Sequence, residues 1–324
     1  CRRALQIRPD YAEAHNNLGV TLRELGRLDE AEASCRQALC IKPGFAEALS
    51  NLGNILGDRD RFSEAESCYR SALEVKPDFV DALNNLAFLL NTQGRAAEAL
   101  DFVLRSLQIS ETEETQRLFV ACASRVHVLR DDSALRATLV RALTEPWGRP
   151  KDLHRIAVEL IKLNPTIAAC IQRSTEAWPK RLSVSELFGA GGLAVLANDA
   201  LLCALLQVAP NSDMEMERFL TMARHTMLDA ATGGGSSPDE RGAMLPLSCS
   251  MACQCFINEY VFSCTDDELR RVSDLRDSLV TALDSFAQVP VHWPVIVASY
   301  FPLNSLPQVR RLLDEQWPAD VAAV

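Results

Sequence analysis

The sequence predicts an all-α chain in two parts, a solenoid of paired helices followed by an irregular helical domain. Two observations carry this prediction. Equivalent residues return every 34 positions through the first third: Pro9, Pro43 and Pro77 share one phase, Leu18, Leu52 and Leu86 a second, and Ala31, Ala65 and Ala99 a third. No stretch of the 324 residues alternates strand pattern with helix pattern, which argues against a Rossmann-like catalytic fold.

Each period holds two apolar segments with helical spacing. In the first complete period Ala14, Leu18, Leu22 and Leu25 mark one helix, and Leu28, Ala31, Cys35, Ala38 and Leu39 mark the next. Gly26 and Gly94 stand at the break, where a helix commonly ends in a left-handed residue. The second helix closes on "IRPD", "IKPG" or "VKPD": proline stops it, and Asp10 and Asp78 are placed to cap the helix that follows. Ser63 and Glu66 stand at capping-box spacing at the start of a second helix. Two antiparallel helices per period follow.

Read as "NLG", "G", "EA", "A" and "P" at fixed spacings, this pattern resembles the tetratricopeptide repeat (TPR). The resemblance covers residues 1–113, with a partial repeat at 1–11 and complete repeats at 12–45, 46–79 and 80–113. Departures are Asp60 and Ala87 where glycine is usual, Ser106 for alanine, and Glu111 for the closing proline, so the regular array is expected to end there. The family implies a right-handed superhelix, in which the first helix of each pair lines a concave inner surface. Leu18, Leu22 and their repeats must meet the neighbouring helices, leaving Glu13, Asn16, Asn17 and Val20 directed at the groove.

The segments "AHNNLGV", "ALSNLGN" and "ALNNLAF" put Asn17, Asn51 and Asn85 at one phase inside helices, although asparagine is a mediocre helix former. An amide offers both donors and an acceptor, so one per repeat can track the backbone of an extended peptide. The array resembles those of the O-linked N-acetylglucosamine transferases, which carry an Asn ladder at this phase. The alternative is structural, each amide bonding a backbone carbonyl of the adjacent repeat. Glu13, Glu47 and Asp81 recur as well, and two readings again stand side by side. They make an acidic groove suited to basic peptides, or they serve the first helical turn through the helix dipole and the capping-box spacing of Asp10 with Glu13. They count against the carboxylate-clamp TPRs, which need Lys and Arg in the groove, where no basic residue recurs. The candidate peptide-binding residues are therefore Asn17, Asn51, Asn85, Asn16, Asn84, Asn54, Glu13, Glu47, Asp81, Phe88 and Asn91.

Beyond the repeats the sequence divides into a helical region at 114–231, a flexible loop or linker at 232–240 ("TGGGSSPDE"), and a C-terminal helical region at 241–324. "EPWGRP" and the "NP" at Asn164–Pro165 are turns, and Ser183 with Glu186 makes a capping box. Thr265 with Glu268 makes another, opening a helix with Leu269, Val272, Leu275, Leu279 and Leu283 on one face. Gly189, Gly191 and Gly192 follow a capped helix rather than a strand and read as a helix-connecting turn, not a nucleotide loop. Cys249, Cys253 and Cys255 lack a second ligand pair and read as core thiols. Asn258, Glu259 and Tyr260 interrupt an apolar run, either as a structural network or as the lining of a site facing another domain. None of the five histidines shares a motif with a nucleophile. The segments "EPWGRPKDLHRIAVELIKLNP", "QCFINEYVF" and "VASYFPLNSLP" resemble a helical region that in bacterial multidomain proteins joins TPRs to an S-adenosylmethionine (SAM)-dependent methyltransferase domain.

Charge and composition bound the function. Lys and Arg total 33 against 43 Asp and Glu, a net charge of −10 that repels a phosphate backbone, so nucleic acid is not an expected partner. The 11 cysteines are odd in number and scattered through helical pattern, which suits a reducing compartment, with the cytoplasm as the expected location. No apolar run reaches the roughly 18 residues of a membrane span. The reading that follows is a noncatalytic interaction module that binds an extended peptide or partner protein along an Asn-lined groove, with no cofactor or metal in this chain. The alternative is the substrate-recruiting part of a larger SAM-dependent methyltransferase, or less readily an O-linked glycosyltransferase. Its catalytic domain would lie beyond residue 324 of the same polypeptide, and SAM would serve the full-length protein.

Overall fold

The computed structural model describes residues 2–232, 238–260, 262–313, 317, 318 and 321. Among these residues the backbone forms α-helices, two short 3₁₀ helices at Leu303–Ser305 and Val309–Leu313, and no strand. The fold is a solenoid of paired helices followed in sequence by further helices, and the chain divides into two compact units at 1–127 and 128–324.

The first unit contains α1 (Arg2–Ile7), α2 (Ala12–Glu24), α3 (Leu28–Ile41), α4 (Ala46–Gly57), α5 (Phe62–Val75), α6 (Val80–Thr92), α7 (Ala96–Ile109) and α8 (Glu113–Ala123). Each pair packs tightly, α2 on α3, α4 on α5 and α6 on α7, and every pair also meets the first helix of the next. Small residues make the close approach possible. A Cβ on Gly53 would stand 2.6 Å from the Tyr69 ring, and one on Gly19 would collide with Cys35 Sγ. The corresponding positions of the third repeat are Ala87 and Val103, both fully buried, so relative to the second repeat a smaller residue on the second helix accompanies the larger one on the first.

The first helix of each pair ends the same way three times. The Arg27 N–H donates to the Leu22 carbonyl and the Gly26 N–H to Arg23, both at 2.9 Å, and the same paired bonds close α4 and α6. The residue at the centre is left-handed in all three: Gly26 (φ 72°), Asp60 (φ 59°) and Gly94 (φ 79°). Asp60 therefore does the work of the missing glycine, in a conformation that costs a residue with a Cβ.

Two capping expectations are corrected. The N-cap positions of α2, α4 and α6 are Tyr11, Phe45 and Phe79, without side-chain caps, so Asp10 and Asp78 do not cap. The aromatic rings instead carry cations from three residues upstream, with Lys42 Nζ 4.5 Å above Phe45 and Lys76 Nζ 5.0 Å above Phe79. Ser63 and Glu66 form no capping box because α5 starts two residues earlier, with Arg61 at the N-cap, and Glu66 is drawn to Arg70 (2.8 Å) and Arg95 (2.6 Å). Those pairs belong to a charged ladder with the 34-residue period: Arg61 joins Glu32 of the preceding repeat to Glu64, and Arg95 joins Glu66 to Glu98.

The first unit runs past the last repeat because α8 packs on α7 and α6. Thr112 caps α8 by accepting from the Thr115 N–H at 3.2 Å.

The second unit holds α9 (Ser133–Thr144), α10 (Pro150–Leu163), α11 (Pro165–Ala177), α12 (Val184–Phe188), α13 (Gly192–Ala197), α14 (Ala200–Val208), α15 (Met214–Thr232), α16 (Pro238–Ile257), α17 (Asp266–Asp284) and α18 (His292–Ala298). Apolar α14 packs on α9, α10 and α16, while α16 also meets α13, α15 and α18. In the "NP" turn Asn164 ends α10 and caps α11, accepting from the N–H groups of Thr166 (3.0 Å) and Ile167 (3.4 Å). Both capping boxes, Ser183 with Glu186 and Thr265 with Glu268, are formed. On α17 Val272, Leu275, Leu279 and Leu283 are buried, but Leu269 turns outward while Glu268 is the residue buried at the start of that face. Of the expected loop at 232–240, Thr232 ends α15 and Pro238 opens α16, and residues 233–237 lie outside the described residues.

Candidate functional site

The first helices of the three repeats, with the start of α8, enclose a concavity of about 340 Å³. Its lining contains all three asparagines of the predicted ladder, Asn17, Asn51 and Asn85, together with Asn16, Asn84, Asn54, Glu47 and Asp81. The remaining candidates sit elsewhere: Glu13 and Phe88 are exposed outside the lining, and Asn91 is buried, its carbonyl accepting from Arg125 at 3.0 Å. Four lining residues escaped the candidate list. Ser50 and Phe79 were detectable, because Ser50 shares the phase of Asn16 and Asn84, and Phe79 that of Tyr11 and Phe45. Val20 carries the groove-facing phase already, whereas Glu114 lies past the last repeat and no periodicity points to it.

The amides divide by partner. Asn51 donates through Nδ2 to Asn16 Oδ1 at 2.9 Å, joining the second repeat to the first. That is a side-chain contact rather than the carbonyl contact of the structural alternative. Asn54 Oδ1 accepts from the Tyr69 hydroxyl at 2.7 Å. Asn84 donates to Thr115 Oγ1 at 3.1 Å, which ties α6 to α8. Asn17 is exposed and Asn85 half-buried, and neither side-chain amide has a hydrogen-bond partner among the described residues.

The recurring acids meet recurring bases that lie in the loops before the first helices. Lys42 Nζ stands 3.8 Å from Glu13, and Lys76 Nζ 3.9 Å from Glu47. All four side chains are about half exposed, so these pairs contribute little to stability and yield readily to a competing cation.

The second unit holds a different kind of polar centre. Glu268, fully buried at the start of α17, lies 3.2 Å from Arg181 Nη2 and 3.3 Å from His225 Nδ1, and accepts from the Tyr300 hydroxyl at 3.4 Å. His225 Nε2 lies 3.1 Å from Asp229, which is also paired with Arg271. The carboxylates of Asp229 and Glu268, accepting from the imidazolium, raise His225 to about 9 against the opposing effect of burial. Burial pushes Glu268 upward, but His225, the Thr265 N–H and Arg181 outweigh it and hold the carboxyl at about 2. The group joins α15 to α17 by charge, and Tyr300, two residues past α18, to α17 by a hydrogen bond.

A second concavity, of about 470 Å³, is lined by Gln207, Cys253, Phe256, Tyr260 and Asn304 among others. Glu259 and Tyr260 are both left-handed in the turn after α16, and the nearby Gln254 is fully buried. With its amide oriented to match donors to acceptors, Gln254 donates to the Leu206 and Ala209 carbonyls at 3.0 Å and meets Asn258. Cys249 and Cys255 are core residues, and burial pushes the Cys255 thiol up to about 11. No group of His, Cys, Asp or Glu that could hold a metal ion is present among the described residues. Gly189 and Gly191, both left-handed, form the turn between α12 and α13. No helix among the described residues is long and apolar enough to cross a membrane.

Stacked helix pairs with a polar concavity on their first helices define a helical-repeat solenoid. The repeats are tetratricopeptide repeats: family models of that description match residues 10–78 and 50–114. Among solved structures, the chain is similar to YrrB, described as a TPR protein with an unusual peptide-binding site, at 19% identity and a TM-score of 0.42, over 55% of this chain and 92% of that one. It is also similar to a mutant of the Thermobaculum terrenum O-GlcNAc transferase, at 20% identity and a TM-score of 0.34, over 41% of this chain but only 26% of the transferase chain. A comparison with curated proteins finds no match.

Proposed function

We propose that the TPR array binds an extended segment of a partner protein along the concavity of its first helices, with Asn17 and Asn85 holding the partner's backbone. TPR proteins generally mediate protein–protein interaction. The observation that carries the groove reading is the division among the ladder amides: Asn51 is engaged with Asn16, whereas Asn17 and Asn85 line the same concavity with no side-chain partner among the described residues. An uncommitted amide there can accept from a peptide N–H and donate to a peptide carbonyl without reading the side chain. By this reading the chain is a noncatalytic recruiting module. Affinity is modest, because ordering an extended segment offsets much of the contact energy. A cytoplasmic location belongs to the same proposal and is supported by thiols distributed through both units.

The test uses peptides selected from a random phage-displayed library on the full chain. Changing Asn17 and Asn85 together to Ala is expected to weaken the selected peptides by about tenfold or more, equivalent to roughly 1.4 kcal/mol, with helical circular dichroism retained. Unchanged binding, or loss of helicity in the double variant, would show that these amides act only within the fold.

A further inference from the structure

We infer that the end of the groove between α6 and α8 is a subsite for a cationic side chain, so that the segment bound there is a basic one. This deepens the groove proposal and rests on it. The titratable groups lining the concavity are Glu47, Asp81 and Glu114, all acidic, and no Lys or Arg lines it. Glu47 shares Lys76 at 3.9 Å, but Asp81 and Glu114 have no ion-pair partner among the described residues. Their positions in the first turns of α6 and α8 suit the helix dipoles. The dipoles do not account for the convergence of both carboxylates on one concavity, and a second observation comes from the same lining. Asn84 lines the same concavity while only 8% exposed; its Nδ2 is spent on Thr115, and its Oδ1 has no hydrogen-bond partner.

Two carboxylates and an unsatisfied amide oxygen are three acceptors without a donor. An ammonium supplies three N–H groups and a guanidinium five, and either offsets the charge. Phe79, in the lining of the same concavity just before α6, offers apolar surface to the methylene stem of a Lys or Arg. A neutral peptide leaves the carboxylates uncompensated, and an acidic one is repelled.

The peptides selected on the full chain supply the test. Each is resynthesised with its Lys or Arg replaced by norleucine or citrulline, which keep the length and remove the charge. The expected result is enrichment of one basic position among selected peptides, about tenfold weaker binding of the neutral analogue, and affinity that falls as salt rises. In the Asp81→Asn, Glu114→Gln variant, the basic and neutral peptides are expected to bind alike while circular dichroism matches the parent. If the neutral analogue binds as well as the basic one while binding still depends on Asn17 and Asn85, the subsite inference falls and the groove proposal stands. If no peptide is selected, or binding ignores the asparagines, both fall.

Discussion

His225 illustrates what a single residue does when two carboxylates face it. Its usual value near 6.5 rises to about 9, first through Asp229 and then through Glu268, so the folded state holds its proton more tightly than the unfolded chain does. The resulting stability is complete below about pH 6.5 and is lost as pH climbs through about 9. Glu268 behaves oppositely: held at about 2 against a usual 4.5, it contributes fully above about 4.5 and progressively less as the solution is acidified. Arg181, Arg271 and Tyr300 also face this centre, with Arg224 stacked on the Tyr300 ring, and burial pushes the Tyr300 hydroxyl upward. The contribution of this pair to thermal stability should therefore be flat from about pH 4.5 to 6.5 and fall toward pH 9. Melting curves across that range check it: a His225→Gln variant should melt lower on the plateau but lose the alkaline slope, and an unchanged slope would assign it to another group. No motif in the sequence gives His225 a role, and the reason is physical. Its partner Glu268 lies on another helix, and no local pattern connects them.

At the scale of the element, the repeat is governed by how closely two helices approach. Gly53 sits against the Tyr69 ring, so Gly53→Ala must displace it, and overpacking of this kind costs about 1–3 kcal/mol. The third repeat shows the compensated pair, Ala87 with Val103. In a Tyr69→Val background the same alanine should cost markedly less, and urea denaturation of the four chains in the cycle measures the coupling. Additive costs would mean that the ring is not the obstacle. This pairing was half legible: Ala87 was visible as a departure from the usual glycine, but its explanation lies on the partner helix. The helix breaks at Gly26 and Gly94 were fully legible, because a left-handed cap demands a residue without a Cβ, and Asp60 shows the demand met at a cost. The caps at Asp10, Asp78 and Ser63 were misplaced because a helix start displaced by one or two residues changes which side chain meets the free N–H groups.

Across the whole molecule, legibility follows repetition. In the first unit the packing positions recur every 34 residues, so a position read once is read three times, and eight of the eleven candidate residues line the concavity. The second unit is built from single long-range pairings such as Arg136 with Asp199 and Arg181 with Glu268, which leave no periodic trace. The same holds for Glu114, which lines the groove from the first helix beyond the repeats, and for buried Thr115, which accepts from Asn84. The function assigned to the groove depends on Asn17 and Asn85 being free to meet a partner while Asn51 holds the repeats together. A crystal structure of the full chain with a selected peptide tests this most directly. The account predicts an extended peptide in the concavity, its backbone within hydrogen-bond distance of the Asn17 and Asn85 amides, with Asn51 still donating to Asn16. A peptide bound elsewhere, or one held in the concavity without contact to either amide, would contradict it.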